Sequence, residues 1–181
     1  MCGAALFLFS TGCDEDDPAQ PEEENPQELI TKVTLTLTET GTTNTTSVSF
    51  SDLDGSGGNA PTIGTLTLGV GKTYTGTIAL LDETKNPVEN ITEEVEEEAD
   101  AHQFFYTVGG GIAGRLNVAI TDVDSKNLPV GLEYTLTVTP GAAASGTLNV
   151  VLSHYDESLK DGVTPSDETD VDIDFPVSIV P

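Results

Sequence analysis

The chain has 181 residues, with 31 acidic against 6 basic residues, a formal net charge of -25 and no tryptophan. Because binding to nucleic-acid phosphates or anionic head groups requires lysine and arginine, this composition excludes both as partners. Cations and basic protein surfaces are the partners that such a charge attracts, although a high charge also serves solubility alone.

The first segment with a clear pattern is the apolar run of residues 4–9, which is followed by the small residues 10–12, Cys13 and the acidic residues 14–17. An apolar region that ends in small residues is typical of an exported segment that is cut away. A cysteine at the cut indicates a bacterial lipoprotein signal, so we expect residues 1–12 to be a signal peptide and Cys13 to carry lipid. Several acyl chains on one cysteine hold a soluble domain at a membrane surface.

Two features depart from this pattern. Ser10 stands where a lipobox usually carries leucine, and the first cation is Lys32, so the basic region of a signal peptide is missing unless the start codon is placed too late. The alternative is a short buried strand or core segment, since about ten apolar residues cannot span a bilayer as a helix. With Cys2 removed and Cys13 lipidated, no thiol would remain for a disulfide, a metal or a nucleophile.

The segment after the cysteine is strongly acidic. Residues 14–28 contain eight acidic residues and three prolines and no basic residue, which predicts a disordered tether over residues 13–28 that like charges extend from the membrane. The segment resembles the acidic export signal of surface-exposed lipoproteins of Bacteroidota, and that resemblance implies display on the outer face of the outer membrane.

From residue 29 onward apolar and polar side chains alternate with period two, which places one face of a strand on a core and the other in water. Turn residues separate these stretches, as hairpins and loops require. The pattern predicts a single all-β domain over residues 29–181, an antiparallel immunoglobulin-like β-sandwich. The nine predicted strands are 30–39, 45–52, 63–69, 73–82, 103–108, 114–122, 132–139, 145–153 and 169–179.

A weak internal repeat suggests two pseudo-equivalent halves, although chance similarity in a chain rich in threonine and glycine remains an alternative. Residues 48–54 parallel residues 118–124, and each stretch leads through a loop to similar strands. The later parallels are 75–78 with 145–148 and 104–108 with 175–179.

Residues 90–98 break the strand pattern. Asn90 and Glu93 have the spacing of a capping box, and the acids that follow suit the first turn of a helix. We expect either a short helix or a disordered acidic loop, since no nearby cation can form i,i+4 ion pairs with these glutamates.

Two groups of residues could bind metal ions. The turn that contains Asp52, Asp54, Ser56 and Asn59 offers the oxygen ligands that Ca²⁺ takes, with an ordinary Asp/Gly loop as the alternative. His102, with Glu98 and Asp100 just before it, and His154 at the end of a predicted strand could together bind Zn²⁺ or Cu²⁺ if they meet in space. Two surface histidines in acidic loops are the alternative interpretation.

Enzymatic activity has little support. The chain contains no Gly-x-Ser-x-Gly elbow, no His-Glu-x-x-His motif and no phosphate loop, and no pair among its 31 acids stands out as an acid and base. We therefore expect no enzyme.

The chain resembles a group of small uncharacterised lipoproteins of Bacteroidota in five segments. These are Cys13 with the acids that follow it, residues 29–37, 52–55 and 91–98, and the run His-Gln-Phe-Phe-Tyr at 102–106. Members of this group are often labelled as carrying a type 1 periplasmic-binding domain. The resemblance covers most of the chain and implies a β-rich surface lipoprotein with no established activity. The chain does not alternate strands and helices as the larger α/β periplasmic binding proteins do.

The sequence therefore predicts an outer-membrane-anchored, non-enzymatic binding module that faces outward. Its ligand would be a metal ion or a surface receptor partner. The alternative is a structural or adhesive surface module that has no small-molecule ligand.

Overall fold

The computed structural model describes residues 28–55, 57–155 and 159–181. The expected signal peptide, Cys13, nearly all of the tether and Ser56 lie outside these residues. Within the described part, no helix has the length and hydrophobicity needed to cross a bilayer.

The protein is an all-β sandwich of two sheets. The strands are β1 (Lys32–Glu39), β2 (Thr45–Ser51), β3 (Thr62–Ile63), β4 (Leu66–Gly69), β5 (Thr73–Leu81), β6 (His102–Gly110), β7 (Leu116–Ile120), β8 (Glu133–Val138), β9 (Ala144–His154) and β10 (Glu168–Val180). One sheet has the order β3-β2-β1-β5-β8-β7, and the other has the order β4-β10-β9-β6. The expected sandwich is confirmed, with ten strands among the described residues.

The alternating pattern of the sequence produces the core. In β5 every second residue from Tyr74 to Leu80 is buried, while the residues between them face solvent. Side chains from both sheets meet in one apolar cluster, to which Leu35 and Leu80 contribute from the larger sheet and Phe104 and Phe175 from the smaller sheet. The buried residues of this cluster all lie between Val33 and Ile179, and Ile30 packs partly against them.

The structure corrects two details of the expected sheets. The predicted strand 63–69 is two strands, because the chain leaves the six-stranded sheet after Ile63 and enters the four-stranded sheet at Leu66. The sheets are also not wholly antiparallel, since β4 pairs in parallel with β10.

The order of strands in the sheets does not repeat between the two halves of the sequence that resemble each other. β5 lies in the six-stranded sheet, whereas β9, which contains the matching residues 145–148, lies in the four-stranded sheet. The two similar segments therefore occupy different positions in the fold.

The acidic segment forms a short helix, α1 (Ile91–Glu97). Its residues Ile91 and Val95 are buried, and Thr92 Oγ1 accepts a hydrogen bond from the Leu80 backbone N–H at 2.8 Å. The expected capping box does not form, because the Asn90 side chain makes no cap hydrogen bond and instead donates to Glu93 Oε1 at 2.8 Å. Burial against the sheet, and not the cap, therefore positions this helix.

Candidate metal centre

The two histidines of the chain meet in the structure. His102 is the first residue of β6, His154 is the last residue of β9, and the two are direct partners in the antiparallel ladder. Their ring centroids lie 4.4 Å apart with an angle of 38° between the ring planes. Both residues are buried, with 0% and 7% exposure, which excludes the alternative of two surface histidines.

A hydrogen bond assigns the tautomer of His102. Its Nδ1 lies 3.1 Å from the backbone carbonyl oxygen of Glu98, just after α1. Because a carbonyl oxygen only accepts, Nδ1 must carry the proton, and Nε2 of the neutral ring then has a lone pair. A backbone carbonyl that orients a ring in this way is typical of histidines that bind metals.

Two carboxylates face this lone pair. Asp170 Oδ2 lies 3.9 Å from His102 Nε2 and 3.9 Å from His154 Nδ1, and Glu28 Oε1 lies 3.6 Å from His102 Nε2. These distances are too long for direct hydrogen bonds. Among the described residues, His102 Nε2, Asp170 Oδ2 and Glu28 Oε2 are buried and have no hydrogen-bond partner. The cluster therefore contains three buried polar atoms that have no hydrogen-bond partner in the described part of the chain.

A β-bulge directs Asp170 into this cluster. The register between β10 and β9 shifts between Thr169 and Val171, so Asp170 is the extra residue. The later aspartates of the strand, Asp172 and Asp174, are exposed, whereas the side chain of Asp170 is only 2% exposed. Bulges commonly redirect a side chain in this way next to functional sites.

The electrostatics of the cluster follow from burial. Burial lowers the pKa of His102 from its usual value, which favours the neutral ring that a metal ion requires. Burial also raises the pKa of Asp170, and burial together with the neighbouring charges of Asp170, Glu94 and Glu98 raises the pKa of Glu28 to about 7. A cation at the centre of the cluster would reverse the cost of ionising these carboxyl groups.

The geometry fits one metal ion. Atoms that bind a tetrahedral ion at about 2.0–2.2 Å lie roughly 3.3–3.6 Å from one another. Three separations, of 3.6–3.9 Å, are a few tenths of an ångström longer than this, and the other separations within each group of ligand atoms are at most 4.8 Å. Ligand atoms of His102, His154 and Asp170 form one group within 4.8 Å, and those of Glu28, Glu98 and His102 form a second. His102 belongs to both groups.

The remaining acid of the expected transition-metal site lies elsewhere. Asp100 was predicted to join the histidines, but its carboxylate accepts hydrogen bonds from the backbone N–H of Ser125 at 3.0 Å and from Ser125 Oγ at 2.6 Å. It also lies 3.7 Å from Lys126 Nζ. The turn after α1 points Asp100 toward this neighbouring loop and not toward the rings.

An open cleft leads toward the cluster from the side of His154. It has a volume of about 670 Å³, and its lining includes Glu97, Glu98, Asp100 and His154. Acidic walls of this kind raise the local concentration of cations.

The expected calcium loop is closed by its own hydrogen bonds. Asp52 Oδ1 accepts from the Gly55 backbone N–H at 3.0 Å, and Asp54 Oδ2 accepts from the backbone and side-chain nitrogens of Asn59. The fourth proposed ligand, Ser56, lies outside the described residues. Calcium binding at this loop stays a prediction.

Sequence reasoning missed Asp170 and Glu28. Asp170 lies in an alternating series of aspartates that reads as a solvent-facing row, and Glu28 lies in the acidic tether. No local signal separates either residue from its neighbours. Comparison with protein-family models, curated proteins and solved structures finds no match for this chain.

Proposed function

We propose that this protein is a non-enzymatic metal-binding module, anchored by lipid to the outer face of a bacterial outer membrane. The ligand is a divalent transition metal ion, Zn²⁺ or Cu²⁺, held by His102, His154 and Asp170. The observation that carries the proposal is the convergence of the buried acceptors His102 Nε2 and Asp170 Oδ2, which have no hydrogen-bond partner among the described residues.

The donor set supports this class of metal. Two imidazole nitrogens and a carboxylate oxygen suit Zn²⁺ and Cu²⁺, whereas Ca²⁺ prefers six to eight oxygen ligands. Buried polar groups without partners are costly, by roughly 1–3 kcal/mol each, so a bound ion would remove a penalty that the metal-free protein carries.

The anchor rests on the sequence. Cys13 follows an apolar run and precedes a spacer of acids and prolines, and together these favour lipidation and display on the cell surface. Mass spectrometry of protein extracted from membranes, made from the gene with its true start, should find a chain that begins at Cys13 and carries acyl mass. An intact, unmodified amino terminus would contradict the anchor and leave the metal site untouched.

Thermal melting with added metals tests the binding function. At a free metal concentration of 100 times Kd, binding stabilises the native state by about 2.7 kcal/mol, which for a domain of this size raises Tm by roughly 5–10 °C. We expect Zn²⁺ or Cu²⁺ to produce this rise in the chain from Asp14 to Pro181, followed by circular dichroism.

The variants His102→Ala, His154→Ala and Asp170→Asn should each lose most of this rise, measured against the metal-free Tm of the same variant. Asp52→Ala is the matched control, because it removes an acid of the calcium loop and should keep the full response to Zn²⁺ and Cu²⁺. If neither metal raises Tm, the proposed function is wrong, and the alternative of a structural or adhesive module is favoured. Binding that survives loss of both histidines would place the metal elsewhere.

A further inference from the structure

Glu28 lies where the acidic tether joins the sandwich. Its side chain is only 11% exposed, and its Oε1 lies 3.6 Å from His102 Nε2. Its Oε2 is buried and has no hydrogen-bond partner among the described residues. A buried carboxylate oxygen without a partner is costly unless a cation or a hydrogen-bond donor lies beside it.

We propose that Glu28 is the fourth ligand of the metal ion, so that metal binding fastens the residues that follow the tether to the ends of β6 and β10. This inference rests on the proposed function and goes beyond it, because the ion would then attach residues 28–30 to the sandwich. We call this metal-dependent attachment the latch.

The coordination number supports this role. His102, His154 and Asp170 supply three ligands, which leaves one position of a tetrahedral ion open. Glu28 Oε1 and Asp170 Oδ2 both lie near Nε2 of His102. The ligand atoms of Glu28 group within 4.8 Å with those of Glu98 and His102 and not with those of His154 and Asp170, so Glu28 must move closer to the latter two to close the site as in structural zinc sites.

The surrounding charges make the latch dependent on a cation. Asp170, Glu94 and Glu98 all act electrostatically on Glu28 with the same sign of charge. Wherever these carboxyl groups are ionised and no cation lies between them, they repel one another. With a divalent ion between them, the same charges attract the ion and hold Glu28 in place.

The latch controls a short segment. Thr31 is already fixed to the sandwich, since its backbone N–H donates to the Leu81 carbonyl at 3.0 Å. Between Glu28 and Thr31, Leu29 is 54% exposed and Ile30 packs partly against the core. Release of Glu28 should therefore free residues 28–30 and leave β1 intact.

Two measurements on the chain from Asp14 to Pro181 test the latch. Competition with a chromophoric chelator gives the affinity for Zn²⁺, and hydrogen exchange with mass spectrometry follows a peptide that contains residues 28–31. The variant Glu28→Gln keeps the size of the side chain and removes its charge. Glu133→Gln, at an exposed glutamate of β8, is the matched control.

We expect Glu28→Gln to weaken Zn²⁺ binding by about tenfold or more, the range measured for groups that support a metal site. Zn²⁺ should slow exchange at Leu29 and Ile30 at least tenfold in the wild type and in Glu133→Gln, but not in Glu28→Gln. If wild type and Glu28→Gln bind Zn²⁺ equally, and Zn²⁺ does not slow exchange in residues 28–31, the latch is wrong. The proposed function still stands in that case, provided that His102→Ala abolishes Zn²⁺ binding. Wild type that binds no Zn²⁺ overturns both proposals.

Discussion

The pH dependence of stability in the metal-free protein measures the free-energy cost of ionising Glu28 in its buried position. Burial and the charge of Asp170 raise the pKa of Glu28 from 4.5 to about 7. The native state therefore holds a proton at Glu28 between these two pH values, whereas the unfolded chain has already lost it. Stability must fall as pH rises through this window, because the unfolded state then binds fewer protons than the native state.

The size of the effect follows from the shift. A pKa change of this size corresponds to about 3 kcal/mol at 1.36 kcal/mol per unit. The side chain of Glu28 is 11% exposed at the edge of the sandwich, and partial screening by solvent reduces the expected loss to about 1–2 kcal/mol. His102 acts in the opposite direction, since its lowered pKa makes stability rise as pH increases toward its usual value. Asp170, whose pKa is also raised, acts in the same direction as Glu28. A comparison between variants is therefore needed to isolate the contribution of Glu28.

Glu28→Gln provides that comparison, because it removes the titrating carboxyl and leaves His102 and Asp170 in place. We expect the free energy of unfolding of the wild type, relative to Glu28→Gln, to fall by about 1–2 kcal/mol between pH 5 and pH 7.5. Urea unfolding in the presence of EDTA, followed by far-ultraviolet circular dichroism, measures the difference at each pH. Parallel pH profiles for the two proteins would refute the reasoning and show that Glu28 is solvated in the native state.

Two further substitutions test the packing around the site and the core. Lys160 Nζ lies 2.9 Å from Asp124 Oδ2 and donates to the Ala99 carbonyl at 2.7 Å, and the side chains of the ion pair are fully buried. Lys160→Ala should therefore lower the free energy of unfolding by about 3–5 kcal/mol, since it leaves a buried charge without its partner. A loss below about 1 kcal/mol, measured by urea unfolding, would mean that the ion pair is hydrated. A Cβ on Gly76 would clash with the Tyr134 ring and would lie 2.8 Å from Leu37 Cδ2. Gly76→Ala should lower the free energy of unfolding by at least about 1–3 kcal/mol. Thr77→Ala, at the exposed neighbour, should change the free energy of unfolding little. Equal effects of the two substitutions would argue against this packing.

Much of the secondary structure could be predicted from the sequence, because the alternation of side chains is a local property of each strand. Eight of the nine predicted strands correspond to one observed strand each, with ends that differ by a few residues. The exception is the stretch 63–69, where the chain changes sheet near Gly64. A sheet change keeps the alternation of apolar residues on both sides, so the pattern alone reads as one strand.

The short helix likewise has a position that the sequence predicted and contacts that it did not. Its position at Ile91–Glu97 agrees with the acidic segment in the sequence, but the predicted cap does not form. Burial of Ile91 and Val95 and the hydrogen bonds between Thr92 and Leu80 hold the helix on the sheet. Such contacts join residues that are distant along the chain, and tertiary packing commonly overrides local preference.

The amino-acid sequence by itself determined that the chain folds into short strands with one buried face, and it singled out His102 and His154 beside acids. Only the tertiary structure decided that these histidines face each other, because the register between β6 and β9 depends on pairing across the whole sheet. The bulge at Asp170 and the position of Glu28 were decided in the same way. A ladder aligns residues that are far apart in the chain, and an extra residue in one strand turns a carboxylate from solvent toward the rings.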